Sequence, residues 1–413
     1  MSNTGTLYKM ELKKILMKKI VWIMLAIGIV MFISNVLPII GENNIVFPDG
    51  TSMSVYEAIR IQKNTSESIS GKKIDDSLLN KMRNDIRAFL ADKEDLPYKG
   101  RNKSDTYPGI WFAARKLGYE DFMTKLYNQF GDADDPNKKI MECTAGEYYR
   151  MVRDNLDYTF ENEGVTEEEK AFWIQKFSGS GSDITYEYAA GWNEFADPFV
   201  IYIWFAFLLI SVSLAGTFSE ENAFRTDAVI LSAKNGRTPV CLAKLWAGIT
   251  VAAVEMVLII GINMAVCLGT YGIGGWNAPL IMIAPYTAWN ITVGQAFTLL
   301  IWLSLVMSVV FAVFTMFLSR LSGKSMAVIA VQFAIFFICL FSIPNNQGLI
   351  SRLWEIRPTG FLNIYTFMEY RLFKIRGSYL DVFQMGTVIY IIIIAALIPV
   401  ICHTYKHMQI KSR

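Results

Sequence analysis

Histidine is almost missing from this 413-residue chain: only His403 and His407 occur, both at the C-terminal end. Their i, i+4 spacing could hold a metal, yet two histidines at the edge of an apolar run are more simply flanking polar residues. The segment 41–197 has no histidine, so no serine–histidine or cysteine–histidine nucleophile can be assembled there, which argues against a membrane-bound hydrolase. Cysteine is scarce too, at Cys143, Cys241, Cys267, Cys339 and Cys402. Only Cys143 falls in 41–197, which excludes an internal disulfide or a cysteine zinc site in that segment. No GxGxxG or HExxH occurs, and Gly323-Lys324-Ser325 does not end a Walker loop, because the first glycine of that loop would fall on Leu318. Acid is sparse outside 41–197, which holds 29 of the 37 acidic residues and leaves 8 acidic against 19 basic elsewhere. Those basic residues are short flanks of apolar runs rather than one continuous face, so nucleic acid is not indicated as a partner.

Apolar sequence is abundant. Hydrophobic residues make up 53% of the chain, aromatics 14%, and mean hydropathy is +0.31, above the ~45–50% apolar share of soluble domains. About 20 apolar residues span ~30 Å of hydrocarbon, and six runs qualify as spans: 20–40, 199–217, 245–268, 293–318, 326–343 and 385–402. Before the first lies 1–19, where Tyr8, Leu12, Ile15 and Leu16 form one stripe among Lys9, Lys13, Lys14, Lys18 and Lys19. That pattern suits a helix in the cytoplasmic interface. A cleaved signal peptide is the alternative, but SNVLPII offers no small-x-small cleavage site, so 20–40 reads as a retained anchor. The inner segments are basic, which puts both termini in the cytoplasm and 41–197 outside.

The acidic segment 41–197 reads as a mostly helical extracellular domain, with helical spacing over 55–63, 74–91, 111–130 and 146–160. Thr166 and Glu169 form a T-x-x-E capping box for a further helix, and 178–182, Ser-Gly-Ser-Gly-Ser, reads as a flexible joint. Asp132, Asp134, Asp135 and Asn137 lack EF-hand spacing and are interrupted by Pro136, so they form an acidic loop rather than a calcium site. The part 198–413 carries spans two to six, a glycine- and proline-rich outer or re-entrant stretch at 269–290, and an outer re-entrant or surface segment, 344–384. That last segment breaks the charge rule with Arg352, Arg357, Arg371, Lys374 and Arg376, for which Glu355, Glu369 and Asp381 are available partners. The fold class is thus an α-helical polytopic membrane protein of six spans, with a helical extracellular domain between the first and second.

One charged, helix-forming stretch separates two spans: 216–244, GTFSEENAFRTDAVILSAKNGRTPVCLAK. Thr226-Asp227 reads as an N-cap with an acid in the first turn, followed by apolar Val229, Ile230 and Leu231. Lys234 falls in the last turn, Gly236 is placed for a C-terminal cap, and Thr238-Pro239 opens the next helix. A solvated hairpin that only fixes orientation is the plain reading. The alternative is a short amphipathic helix pressed on a soluble partner. Phe218, Glu220, Glu221, Thr226-Asp227, Ile230-Leu231-Ser232, Gly236-Arg237 and Lys244 resemble the cytoplasmic loop between the second and third spans of ABC-2 type permeases. The resemblance implies a coupling loop over 218–244 that docks a separate ATP-binding subunit through Glu220, Glu221, Thr226, Asp227, Val229, Ile230, Leu231 and Arg237. It also implies two ATP-binding subunits, a second permease chain that is identical or different, and ATP and magnesium held by the partner, with no cofactor in this chain. It implies export across a bacterial plasma membrane, the cargo being an antimicrobial peptide, an antibiotic or a lipid-linked molecule. The competing class is a membrane-anchored sensor whose outer domain binds a ligand and whose inner loop signals.

Glu255 is an acid deep in a span, roughly 16 Å along the helix from Lys244 at ~1.5 Å per residue. Such a residue either faces a conduit or is a protonated acid bonded between helices, with Asn263 or Gln332 as partners. Gln332 is a second polar candidate for the conduit. Ala330 and Ala334 give the fifth span a small-xxx-small face suited to close helix approach, including approach by a second copy.

Overall fold

The computed structural model describes residues 2–40, 44–46, 51–91, 108–177, 184–224, 226–233, 236–341, 343 and 348–407. The joint expected at 178–182, Lys234 and the end of the basic tail lie outside them, and Asp227 is described by its backbone alone. Helix α1 (Ser2–Leu16) packs against the bundle and meets α2 (Lys19–Ile40) at a bend of 59°. Tyr8, Leu12 and Ile15 turn into the core, whereas Leu16 is exposed. The Tyr8 hydroxyl also donates to Thr250 Oγ1 at 3.1 Å.

The segment after α2 opens with a hairpin, β1 (Asn44–Val46) against β2 (Ser52–Ser54). Helices α3 (Val55–Ile69) and α4 (Asp76–Ala91) follow, joined by β3 (Lys72–Lys73). The single helix expected over 111–130 is two, α5 (Pro108–Leu117) and α6 (Glu120–Phe130). Gly118 separates them at φ +81°, and a Cβ there would strike the Ile61 carbonyl and Thr65. Then come α7 (Pro136–Glu142), α8 (Ala145–Asn162) and α9 (Glu167–Phe177). Asp135 caps α7, accepting from Lys138 N at 3.0 Å, and the Thr166–Glu169 capping box closes in both directions. Strand β4 (Thr185–Tyr186) returns to pair with β3 before the chain enters the bundle. This domain is held by packing, around Phe122, Leu126, Phe130, Tyr148, Phe160 and Trp173. Cys143 sits inside it, and burial pushes its thiol up.

The bundle is built from α10 (Ala190–Leu214), α11 (Ser219–Ala223), α12 (Asp227–Ser232), α13 (Thr238–Tyr271), α14 (Val293–Ser322) and α15 (Ser325–Cys339). It continues through α16 (Leu349–Trp354), α17 (Pro358–Phe361), the hairpin β5 (Leu372–Ile375) with β6 (Ser378–Asp381), and α18 (Val382–Lys406). Four of these, α10, α13, α14 and α18, are long and apolar enough to cross a bilayer, and the bent α1–α2 pair makes five if it counts as one. The expected span 326–343 is instead α15, with 15 residues, short of the ~20 that a crossing needs. Ala330 and Ala334 are both exposed on it. The count of six spans is therefore not reproduced by helix length. The 269–290 stretch ends α13 at Tyr271 and then forms only a short 3-10 turn at Leu280–Met282, too short to cross.

The basic segment 344–384 is countered largely from the segment inserted between α2 and α10. Arg352 pairs with Glu169 at 2.8 Å and Lys374 with Glu168 at 2.8 Å. Arg371, fully buried, lies between Glu163 at 3.6 Å and Glu369 at 3.7 Å, and Arg357 pairs with Glu355 at 3.0 Å. Asp381, an available partner for this charge, caps α18 by accepting from Gln384 N at 2.9 Å. Arg376 and Gly377, at φ 49° and 86°, form the primed turn that a two-residue hairpin favours. An aromatic seam runs beside the charges, with Trp173 against Trp289 and Tyr370, and Phe172 against Tyr379.

Candidate functional site

The loop that joins α10 to α13 is the candidate docking surface, and it differs in detail from the pattern read above. α12 starts after Thr226, but the Thr226 hydroxyl does not cap it; Oγ1 donates to the Glu221 carbonyl at 3.4 Å. Gly236 is not in a left-handed cap. It is glycine because a Cβ would overlap the Ile230 carbonyl, so it closes the loop by near contact. α13 begins at Thr238, with Pro239 in its first turn. Arg237 donates to the Lys406 carbonyl at 2.5 Å, tying the loop to the end of α18.

The apolar trio splits. Val229 is 73% exposed, Ile230 is half-buried, and Leu231, at 5%, points into the protein's own core. Phe224, at 75%, stands exposed beside them and was missed in the sequence, where it reads as one more residue of a charged stretch. Its signal was an aromatic between acids and Arg225, with Ala228 and Leu231 at helical spacing after it. Glu220 pairs with Lys18 at 2.8 Å, from the bend between α1 and α2.

Behind this surface lies a buried ionic knot. Lys244 is 2% exposed and pairs with Glu221 at 2.8 Å and Glu11 at 3.1 Å, while also donating to the Thr217 carbonyl at 2.9 Å. The Phe218 ring, 5.6 Å from Nζ, covers the ammonium, and Tyr405 of α18 stands edge-on to Phe218. Ser319 of α14 accepts from the amides of both Phe218 and Ser219 at 3.1 Å. Residues of α1, α11, α13, α14 and α18 thus converge where the loop leaves the bundle. Glu221 is part of this support rather than of the open face. Glu11 was not singled out in the sequence, although it is the only acid in 1–41, set among lysines.

Midway along the bundle, Ser213 of α10 donates to Glu255 Oε1 of α13 at 2.6 Å. Neither Asn263 nor Gln332 serves as its partner: Gln332 donates instead to Thr315 Oγ1 of α14 at 2.6 Å, and Asn263 accepts from the Cys267 thiol at 3.5 Å. The two conduit candidates are therefore anchored to different neighbours. Glu255→Gln keeps the shape and the acceptor, so the unfolding midpoint should hold. Glu255→Leu strands the Ser213 hydroxyl and should cost about 0.6–2 kcal/mol. Equal melting of the two variants would remove this bond from the structural account.

A family model for ABC-2 family transporter proteins matches residues 6–401. No curated protein and no solved structure shows significant similarity to the chain.

Proposed function

The chain belongs to the ABC-2 transporter family, and on that premise we propose that it is the permease subunit of an ABC exporter, driven by a separate ATP-binding subunit that docks on the α11–α12 loop. The observation that carries this reading is an exposed apolar pair, Val229 and Phe224, on a loop braced from behind by the Lys244 knot. Exposed large apolar groups on a rigid mount fit a partner's groove better than they fit water. In this reading both termini and the loop are cytoplasmic, 41–197 is extracellular, and six crossings require α2 and the short α15, lengthened by the apolar Leu340 and Phe341, beside the four long helices. Two such chains, identical or different, would form the conduit, with ATP and magnesium on two partner subunits. The cargo class is an antimicrobial peptide, an antibiotic or a lipid-linked molecule. Glu255 belongs to the conduit if Glu255→Gln abolishes transport while leaving the fold intact, and to structure alone if transport is unchanged across a range of pH.

Co-purification of the full chain with the ATP-binding subunit from the native host tests the docking surface. Val229→Asp and Phe224→Asp each remove a buried apolar contact of about 1.5–3 kcal/mol, so partner affinity should drop about tenfold or more with insertion unchanged. Leu231→Asp is a poor probe, because it damages the permease's own core. Partner recovery equal to that of the unaltered chain in both exposed-site variants would count against this surface.

A further inference from the structure

At the ends of α10 and α13 opposite the loop, the two helices part to form a cleft of about 380 Å3. Among its lining are Glu194, Asp197, Tyr202, Asn263, Cys267 and Tyr271. Glu194 and Asp197 stand three residues apart, on one face of α10. Among the described residues neither has a basic side chain within ion-pair distance, and Lys125, whose charge reaches Glu194, is itself paired with Asp121 at 3.5 Å. Asp197 Oδ1 accepts from the Tyr365 hydroxyl at 3.1 Å, which leaves its charge uncompensated. The floor supplies an independent sign of a ligand. Asn263 is 2% exposed, and its Nδ2 has no hydrogen-bond partner. A buried amide donor without an acceptor is costly unless something else completes it. Ile201 on the rim is apolar and exposed.

We propose that this cleft binds an amphiphile carrying a primary ammonium beside a carbonyl, the ammonium between Glu194 and Asp197 and the carbonyl accepting from Asn263 Nδ2. Two like carboxylates on one helix face are bridged by a cation that donates to both, which a primary ammonium can do and a quaternary one cannot. The apolar chain leaves over Ile201. The ligand is either a lipid with an aminoacyl headgroup or a water-borne aminoacyl amphiphile; the chemistry is shared. This inference goes beyond transport, since binding is read without ATP or a partner subunit.

The test is equilibrium binding to the full chain in nanodiscs of neutral lipid, with glycine dodecyl ester, its quaternary analogue betaine dodecyl ester, and dodecylamine as probes. The glycine ester should bind saturably, and the betaine ester about tenfold more weakly or worse. Glu194→Gln and Asp197→Asn should each weaken the glycine ester by about tenfold or more. Asn263→Leu should weaken the glycine ester but not dodecylamine, which has no carbonyl to lose. Competition by an aminoacyl lipid placed in the disc identifies the lipid source, and competition only by single-chain esters added from water identifies the other; either supports the site. Equal affinity for the glycine and betaine esters in the unaltered chain overturns it without requiring any variant to fold. So does equal glycine ester binding by the unaltered chain and Glu194→Gln.

Discussion

Lys244→Met is expected to cost about 3–5 kcal/mol of stability, because it leaves Glu221 buried without a cation beside Glu11, which keeps only the exposed Lys14 at 2.6 Å. The size follows from what remains rather than from what is lost. Two carboxylates that shared one buried ammonium would face each other across an apolar gap. The thermal midpoint of the purified chain should fall, and α1 should become protease-sensitive first, since Glu11 is its polar anchor to α13. A triple variant separates charge from packing. Adding Glu11→Gln and Glu221→Gln to Lys244→Met neutralises the site, and a neutral, well-filled replacement of a buried ionic cluster often restores most of the loss. If Lys244→Met melts with the unaltered protein, the knot is not what braces the loop.

Arg371→Met should have a comparable effect at the other end of the molecule, about 3–5 kcal/mol, and the loss should depend on pH. Glu369 is held above the usual carboxylate range chiefly by burial and then by the nearby charge of Glu355, with Arg371 pulling the other way. An acid raised in the folded state binds its proton more tightly there than in the unfolded chain. Its stabilising contribution is complete below the ordinary carboxylate pKa and disappears as pH rises through the raised one. Removing the arginine raises it further, so the variant should lie near the unaltered protein in acid and fall away steeply as pH climbs. Glu369→Gln in the same background should flatten that slope. Melting curves over a pH series decide it, and a gap that stays constant with pH would remove Glu369 from the account.

How far the sequence reaches depends on what kind of signal each element leaves. Apolar run length located α10, α13, α14 and α18 closely, and capping chemistry located the start of α9 through Thr166 and Glu169. Helix spacing alone did not show the break at Gly118, because what forces it is a close approach by Ile61 and Thr65 from another helix. Nor did run length show that α15 stops at Cys339, since the residues beyond it are as apolar as those within. Long-range polar pairing was the least legible part. Lys244 was visible by resemblance, but its partner Glu11 is 233 residues away, and local spacing carries no trace of such a pair. The same holds for the basic residues of 344–384: Arg371, Lys374 and Arg352 draw on Glu163, Glu168 and Glu169 rather than only on their own segment.

The placing of Glu255 has a mechanical consequence. α13 runs from Thr238 to Tyr271, and at ~1.5 Å per residue Glu255 divides it into arms of roughly 25 Å each. The Ser213 bond at that level makes it a fulcrum between α10 and α13. A seesaw with equal arms has a gearing ratio near one. Any rigid tilt of α13 about that level displaces the loop end and the acidic cleft by the same distance in opposite senses, so a push on one end is neither amplified nor lost at the other.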